Sequence, residues 1–426
     1  MKTTKVVAAK AVALPARISG FRTFQLLYQL LINSWVAIPA VFFYRQVSEN
    51  LSNIPVMDDF NMPLEFVMKV SKADLWGKLG LIFGQYSEHR LVPSKLLYVA
   101  YYYLTGEINF RTIGIIGDLQ LVMVAFAGLH FIRKFMPDSW KIPAIIWMLL
   151  VFDLNTYENA DMCMNAVGNY GVCCYFFAAL YFYDKSNKLI PLAILFQFLC
   201  IFSNGNGLAA GIFIVVFNFA NSRRKLVVSS IVTAVFTGLY FINYHTVTLP
   251  NKVPFDINIL ITYFVRQAGA HFSFDNSMVI GMLILGLLIF LFPWRRIIDP
   301  KFAPILCIFL FSISTMVLAA VFRSCYKDAQ FQTSRYLLYP QMMIGCLCIF
   351  LWMKLRSTAQ RRIGGTILLF LMFITYGANF RFGQLGFERT KYRAETRKYW
   401  HPEPASAAAI CKEACEEGIY CIDDNR

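Results

Sequence analysis

Long apolar runs separated by short polar stretches recur along the whole chain. A helix needs about 20 mostly apolar residues to cross a hydrocarbon core of about 30 Å. Seven runs approach or reach that length: Phe24–Tyr44, Thr112–Ile132, Leu226–Asn243, Met278–Phe292, Phe302–Val321, Tyr336–Met353 and Gly364–Phe380. Their apolar residues do not alternate with polar ones, which argues against an outer-membrane barrel. The pattern therefore predicts an all-α protein, a polytopic bundle of transmembrane helices.

Shorter apolar runs add further spans, with one exception early in the chain. Ile142–Phe152 and Leu189–Ser203 would have to tilt, borrow flanking residues or thin the bilayer to cross it. The run Leu91–Leu104 contains Pro93 and Lys95 and, at about 1.5 Å per residue, reaches only about 21 Å. A segment this short is typical of an interfacial or re-entrant helix. We therefore predict about 11 spans, with Leu91–Leu104 lying on one membrane face.

Basic residues set the predicted orientation. The chain carries 40 Lys and Arg against 25 Asp and Glu, a formal net charge of +15. If the basic N-terminus lies inside, the short inner loops hold three times as many Lys and Arg as the outer loops, as the positive-inside rule requires. A crossing at Leu91–Leu104 would invert this distribution. The charge therefore predicts the N-terminus inside and the C-terminus outside, and no nucleic-acid partner is expected.

This topology divides the chain into a single transmembrane domain, residues 1–380, and a polar extracytoplasmic tail, residues 381–426. Within the first part, residues 45–111 form a large outer loop that carries short interfacial helices. The tail stretch Ala405–Glu417 is rich in Ala, Glu and Lys, which favours a helix. A disulfide is expected among the three cysteines of the tail, which this topology places in an oxidising space: Cys411, Cys415 and Cys421.

Two polar segments of the first outer loop combine residue types that enzymes use. Asp58 and Asp59 follow the first predicted span, where a carboxylate can act as a general base or bind a divalent cation such as Mg²⁺ or Mn²⁺. Because adjacent side chains point in different directions, we expect one functional and one supporting acid. In the segment SEHR, we predict that Glu88 and His89 are catalytic and that Arg90 binds a lipid-linked phosphate. A solvated helix cap and an ion pair at the headgroups are the structural alternatives.

The later outer loops add residues that suit sugar and anion binding. In DLNTYENAD, Glu158 and Asn159 are predicted to bind sugar hydroxyls, and a solvated turn is an equal alternative. Another outer loop carries three cations, contrary to the inside bias of positive charge, which favours anion binding. The predicted binding residues of that loop are Arg323, Lys327, Arg335 and Tyr336. The segment SNGNG, residues 203–207, is predicted to be a tight turn, because Asn and Gly tolerate positive φ.

Three features together resemble one known family. The acidic pair Asp58–Asp59 follows the first span in a large outer loop, short surface helices follow near residues 91–104, and a late outer loop ends in the run RYLLYP that begins at Arg335. This arrangement resembles the polytopic glycosyltransferases of the GT-C superfamily, which include protein O-mannosyltransferases and aminoarabinose–lipid A transferases. The segments SEHRLVPSKLL, YEN and SRY are also similar to bacterial multispan proteins of unassigned function that are regarded as GT-C-like.

That resemblance implies transfer of a sugar from a polyprenyl-phosphate carrier to an acceptor outside the cytoplasm, at a bacterial inner membrane. It implies that Asp58 or Asp59 is the base or organises a metal ion, with a divalent cation as the one suggested cofactor. It also implies that Arg90, Arg323 or Arg335 holds the carrier phosphate. Because the chain lacks the soluble C-terminal domain of larger members, a glycan or lipid acceptor is expected rather than a protein.

Two other functions remain open at this point. A polymerase or ligase of lipid-linked oligosaccharides would use the same carrier on the same face, but it would bind two lipid-anchored glycans at once. A transporter or flippase of lipid-linked glycans would place ionisable residues at mid-membrane depth and would contain broken helices. Asp118 and Gln120, inside the predicted span Thr112–Ile132, are the main indication of a transporter.

Overall fold

The structure is a computed structural model that describes residues 36–246, 254–324, 333–396 and 399–422. Every regular element in these ranges is helical, and no strand occurs in them. The prediction of an all-α protein is therefore confirmed. The described residues from Pro39 to Ile422 belong to one compact unit, and the division into a transmembrane domain and a tail stays a prediction.

Short and long helices follow each other without a repeat. The helices of the first half are α1 (residues 36–50), α2 (Phe66–Lys72), α3 (Leu75–Phe83), α4 (Val92–Thr105), α5 (Phe110–Asp118), α6 (Gln120–Phe135), α7 (Lys141–Val151), α8 (Tyr157–Ala160), α9 (Cys163–Asn165), α10 (Gly171–Lys185) and α11 (Ile190–Ile201). Those of the second half are α12 (Asn206–Asn221), α13 (Arg223–Phe241), α14 (Ile257–Gly269), α15 (Ser277–Leu291), α16 (Ala303–Arg323), α17 (Leu338–Lys354), α18 (Thr358–Thr396) and α19 (Pro404–Glu416).

Within the described ranges, five helical stretches are long and apolar enough to cross a membrane: Phe110–Phe135, Cys163–Lys185, Arg223–Phe241, Ala303–Arg323 and Thr358–Thr396. Four shorter apolar helices lie between them: Asn187–Ile201, Asn206–Asn221, Ser277–Leu291 and Leu338–Lys354. The chain is thus an all-helical protein with several helices that suit a membrane. The count of about 11 spans and their orientation stay predictions, and most of the predicted first span lies outside the described residues.

The run predicted to lie on the membrane surface forms α4, a helix of 14 residues. Leu91 precedes it with a φ of +52°, Pro93 stands in its first turn, and Gly106 ends it with a φ of +81°. Proline suits a first turn because its missing N–H has no helical partner there, and glycine accommodates the left-handed ending. At about 1.5 Å per residue α4 is too short to cross a bilayer, in agreement with the predicted length.

The tail folds back onto the first outer loop. Its predicted helix is confirmed as α19, and the predicted disulfide joins Cys415 to Cys421. Apolar side chains of the tail are buried in the same cluster as Phe60 and Leu64 of the first outer loop: Ala407, Ile410, Cys411, Ala414, Ile419 and Tyr420. Lys72 of α2 also forms an ion pair with Glu413 of α19 at 2.7 Å.

The longest helix, α18, has 39 residues and continues past Phe380, where the last span was predicted to end. No proline interrupts residues 381–396, so the backbone continues its hydrogen-bonded ladder. Beyond Phe380 the helix packs closely on the segment that contains Glu158. A Cβ atom built on Gly383 would lie 2.3 Å from the carbonyl oxygen of Leu154, and one on Gly386 would lie 2.6 Å from the Tyr157 ring.

Candidate functional site

The SEHR segment forms a tight turn that is held against the end of α13. The N–H of Tyr86 donates to the carbonyl of His89 at 2.7 Å, and the N–H of His89 donates back to the carbonyl of Tyr86 at 2.9 Å. The hydroxyl groups of Tyr240 and Tyr244 both donate to the carbonyl of Glu88, at 3.2 and 3.3 Å. These bonds fix the turn by its backbone and leave the Glu88 carboxylate half-buried.

The guanidinium of Arg90 bonds to backbone carbonyl groups. It is buried, and its guanidinium donates to the carbonyls of Tyr240 (3.0 Å), Phe83 (2.8 Å) and Ile242. The guanidinium thereby joins the end of α3 to the end of α13, and three of its five N–H donors are occupied. Phosphate binding by Arg90 stays a prediction, but this geometry favours a role in holding the two helices together.

His89 contacts the segment that was expected to be a simple turn. Its Nδ1 atom accepts a hydrogen bond from the N–H of Gly205 at 3.1 Å, so the ring proton of the neutral form lies on Nε2. Burial, together with the nearby guanidinium of Arg323, lowers the pKa of His89 to about 4. At neutral pH the imidazole is therefore uncharged and can donate one hydrogen bond from Nε2.

The two adjacent aspartates differ in environment. Asp59 is buried, and its carboxylate accepts from the N–H groups of Met164 (2.8 Å) and Val56 (3.3 Å). Burial raises the pKa of Asp59 to about 7, although these backbone bonds oppose the shift. Asp58 is exposed, and both carboxylates act electrostatically on Tyr86. Asp59 is therefore bound by backbone groups while Asp58 is exposed, and the catalytic role of either acid stays a prediction.

Two outer loops meet at the predicted sugar- and anion-binding residues. The amide of Asn159 donates to the carbonyl of Arg335 at 2.8 Å, and the N–H of Arg335 donates to the Glu158 carboxylate at 3.2 Å. Ser334 adds two bonds, because its hydroxyl donates to the carbonyl of Asn155 at 2.6 Å and accepts from the N–H of Glu158 at 3.2 Å. Glu158 and Ser334 are 176 residues apart in sequence, and so are Asn159 and Arg335. Their hydrogen bonds hold the YEN and SRY segments together.

A relay of asparagine side chains links that unit to the SNGNG segment. Asn169 donates to Asn159 at 2.8 Å, and Asn204 donates to Asn169 at 3.0 Å. Asn206 donates to the hydroxyl of Tyr339 at 2.9 Å. Since Gly205 bonds to the imidazole described above, SNGNG connects three outer-loop segments. Its interpretation as a tight turn alone was therefore incomplete.

Two arginines share one aromatic ring. Arg323 donates from Nη2 to the hydroxyl of Tyr336 at 2.7 Å. The guanidinium carbons of Arg323 and Arg335 each lie 5.5 Å from the centroid of that ring. The Nε atom of Arg335 is buried and has no hydrogen-bond partner within the described ranges. Both guanidinium groups thus contact the Tyr336 ring, and anion binding by this pair stays a prediction. Lys327, predicted to bind with them, lies outside the described residues.

These contacts define what we call the polar cluster: His89, Glu158, Asn159, Asn169, Asn204, Arg323, Arg335 and Tyr336. The cluster brings together predicted residues from three outer loops, together with Asn169 and Asn204. It does not include Arg90 or Asp59, which bond to backbone groups elsewhere. Asn169 was missed because it follows no motif and lies within a helical stretch.

Sequence reasoning also missed a buried polar group beside the cluster. The amide of Asn379 in α18 donates to the Asp153 carboxylate and to the carbonyl of His271, each at 3.0 Å. The imidazole of His271 lies 3.9 Å from that carboxylate. Burial raises the pKa of Asp153 to about 7 and lowers that of His271 to about 3. These residues anchor the start of the segment that ends in Glu158 and Asn159.

Neither a metal-binding group among the described side chains nor a comparison with known proteins indicates which reaction the site performs. Within the described ranges, no three His, Cys, Asp or Glu side chains gather as a metal site would require, so a cation at Asp58 or Asp59 stays a prediction. No protein-family model matches the chain, and no curated protein sequence matches it either. The contacts of the polar cluster therefore carry the functional proposal.

Proposed function

We propose that this protein is a membrane glycosyltransferase of the GT-C type. It moves a sugar from a polyprenyl-phosphate carrier to a glycan or lipid acceptor on the non-cytoplasmic face of a bacterial inner membrane. The observation that carries the proposal is the polar cluster, in which Glu158 and Asn159 contact the Arg335 segment while His89 lies near Arg323. Groups predicted to bind sugar hydroxyls and groups predicted to bind phosphate thereby meet in one place.

The two arginines and His89 of the cluster have roles in such a transfer, and so does Asp58, which lies outside the cluster but acts electrostatically on Tyr86 in the SEHR turn. Asp58, the accessible acid, takes the proton of the acceptor hydroxyl as the acceptor oxygen attacks the anomeric carbon. The bond from that carbon to the carrier phosphate breaks, and the phosphate leaves with the electron pair. Arg323 and Arg335 stabilise the negative charge that develops on the phosphate, and neutral His89 can donate to one of its oxygens from Nε2.

The residues of the cluster belong to segments predicted to share one compartment. SEHR, YEN, SNGNG and SRY were all assigned to outer loops by the distribution of Lys and Arg alone. Their contacts support that assignment, because side chains that touch outside the hydrocarbon core lie on the same side of the membrane. The disulfide of the tail supports a non-cytoplasmic position for that segment, since such bonds persist in oxidising compartments.

One observation favours the second candidate, a transporter or flippase of lipid-linked glycans. Asp118 is fully buried inside the apolar stretch Phe110–Phe135, and neither carboxylate oxygen has a hydrogen-bond partner within the described part of the chain. The helical path continues through Leu119, whose N–H donates to the carbonyl of Ile115 at 3.0 Å. An ionisable residue inside a membrane-spanning helix is typical of an ion or substrate pathway.

Single substitutions of the proposed residues test the transferase. Asp58→Asn, His89→Ala and Arg335→Ala would each replace the native protein in the producing cell, with Lys301→Ala as an exposed control on a predicted inner loop. Surface glycans and lipid-linked sugars would then be analysed by mass spectrometry, and insertion would be checked by fractionation. The three variants should lose one glycan and accumulate its lipid-linked donor on the outer face, whereas the control should behave as the native protein.

Three results would contradict the proposal. Unchanged glycans in all three variants, with the proteins inserted normally, would mean that the polar cluster performs no sugar transfer. Accumulation of the lipid-linked donor on the inner face would instead assign a flippase, and Asp118→Asn should then reproduce it. A donor of full oligosaccharide length, accumulating outside, would assign the polymerase or ligase.

A further inference from the structure

The tail makes several contacts with residues 57–61 of the first outer loop. The N–H of Met57 donates to the carbonyl of Trp400 at 2.9 Å, one residue before the acidic pair. Directly after that pair, the ring of Phe60 lies 6.4 Å from the ring of Tyr399 and 5.7 Å from that of His401. The imidazole of His401 is also 3.1 Å from the side-chain oxygen of Asn61. The tail thus contacts the acid-bearing segment on both sides of Asp58 and Asp59.

A second set of contacts depends on the ring closed by the disulfide. After α19 the chain turns at Gly418, whose φ is +69°, and returns over the first outer loop. There the carbonyl of Ile419 accepts from the N–H of Ile108 at 2.9 Å, and the hydroxyl of Tyr420 donates to the carbonyl of Asn53 at 2.7 Å. Ile419 and Tyr420 are both buried, and they lie between the two cysteines of the disulfide.

We propose that the tail, residues 399–422, is a positioning element for the acid-bearing segment Met57–Glu65, and that the Cys415–Cys421 disulfide holds the tail in its docked position. The bond closes a ring with a sequence separation of six residues. A ring this short restricts the undocked tail far more than the docked one, because the docked tail is already ordered. Docking in turn buries Asp59 and fixes the backbone on either side of Asp58.

Reduction of this disulfide should therefore release the tail and mobilise the acid-bearing segment. A dithiol reductant converts the bond into two thiols and is itself oxidised to a cyclic disulfide, so the electrons balance. Amide hydrogen exchange of the full-length protein in detergent micelles reports the release. The samples are the oxidised protein, the reduced protein and the double variant Cys415→Ser with Cys421→Ser. Lys412→Ala is the matched control, since Lys412 is exposed on the same helix.

The expected result is a selective loss of protection. In the reduced protein and the double variant, amides of Met57–Glu65 and α19 should exchange faster by at least tenfold and by up to about 50-fold, the effect of closing so short a loop. Amides of Ala303–Arg323 should stay protected, which shows that the fold persists. The Lys412→Ala variant should match the oxidised protein. If the double variant does not fold, the reduced native protein still gives the answer.

An infrared measurement distinguishes a change in the burial of the Asp59 carboxyl group from a general increase in backbone mobility. Burial keeps Asp59 protonated at about pH 6, so the infrared difference spectrum between the oxidised native protein and Asp59→Asn should contain a carboxylic acid band of Asp59, apart from the band of buried Asp153. This difference band should weaken as the fraction of undocked tail increases. Two results would overturn the proposal: a tail that exchanges freely while Met57–Glu65 and the band are unchanged, or a tail that stays protected after complete reduction.

Discussion

Asp59 makes the stability of the protein depend on pH in an unusual direction. Its pKa is about 7 in the folded protein, against an ordinary value of 3.8. Between these two pH values the folded state binds more protons at this site than the unfolded state, so stability falls as the pH rises. At 1.36 kcal/mol per pH unit, the full loss is about 4 kcal/mol, and it is complete above about pH 7.

The substitution Asp59→Asn removes this pH-dependent loss of stability, and in exchange it removes one hydrogen bond. The amide oxygen can still accept from the N–H of Met164, but the amide nitrogen then faces the N–H of Val56, and that bond is lost. One lost bond costs about 1 kcal/mol. The variant should therefore be less stable than the native protein, by about 1 kcal/mol, at about pH 3, equally stable near about pH 4.5, and more stable, by about 3 kcal/mol, at about pH 8.

Unfolding midpoints in detergent, followed by tryptophan fluorescence across this pH range, measure the effect. Asp58→Asn is the matched control, because it changes the same charge at the neighbouring exposed position. The control should nearly follow the native curve, with its fall moved to slightly lower pH, because the charge of Asp58 contributes a minor part of the raised pKa of Asp59. Parallel curves for Asp59→Asn and the native protein, with no crossing between about pH 3 and about pH 8, would show that burial of Asp59 does not control its protonation.

Three further predictions concern packing and the polar cluster. Arg90→Ala leaves three carbonyl groups without their donor and should lower the free energy of unfolding by about 3 kcal/mol, measured from the unfolding midpoint. Gly207→Ala places a methyl carbon 1.9 Å from the carbonyl oxygen of Cys200 and should abolish folded protein in size-exclusion chromatography, whereas Gly286→Ala meets nothing within 4 Å and should be tolerated. Asn169→Ala breaks both bonds of the asparagine relay and should reduce stability by about 2 kcal/mol and abolish the proposed sugar transfer, measured by glycan analysis, while the protein still inserts.

The apolar pattern predicted the elements that depend on composition alone. The predicted span Phe302–Val321 differs by two residues or fewer at each end from α16, and the predicted surface run Leu91–Leu104 differs by one residue at each end from α4. Both elements are bounded by polar residues, glycine or proline, which have local effects. The end of α18 was predicted wrongly, because residues 381–396 become polar without losing the ability to continue a helix.

Side-chain roles were harder to predict because they depend on partners far away in sequence. Arg90 belongs to a polar motif, yet its partners are backbone carbonyls up to 152 residues away, which no local pattern reveals. His271 and Asn379 were not singled out, since a lone histidine and a lone asparagine carry no spacing signal. Glu158, Asn159 and Arg335 were singled out because charged and amide residues interrupt an apolar chain there. Polar residues that are few in number and grouped in loops are therefore the most informative in a membrane sequence.

The contact between the tail and the first outer loop limits how the chain can cross the membrane. Lys72 pairs with Glu413 across this contact, so it lies outside the hydrocarbon core and both segments are on one side. The chain between them must then cross an even number of times. Within the described ranges, all five stretches that are long enough to cross lie between these segments, and five is odd. If all five cross, at least one other apolar helix crosses as well, by tilting or by thinning the bilayer. The ten crossings predicted for this part of the chain satisfy the condition, and nine or eleven would not.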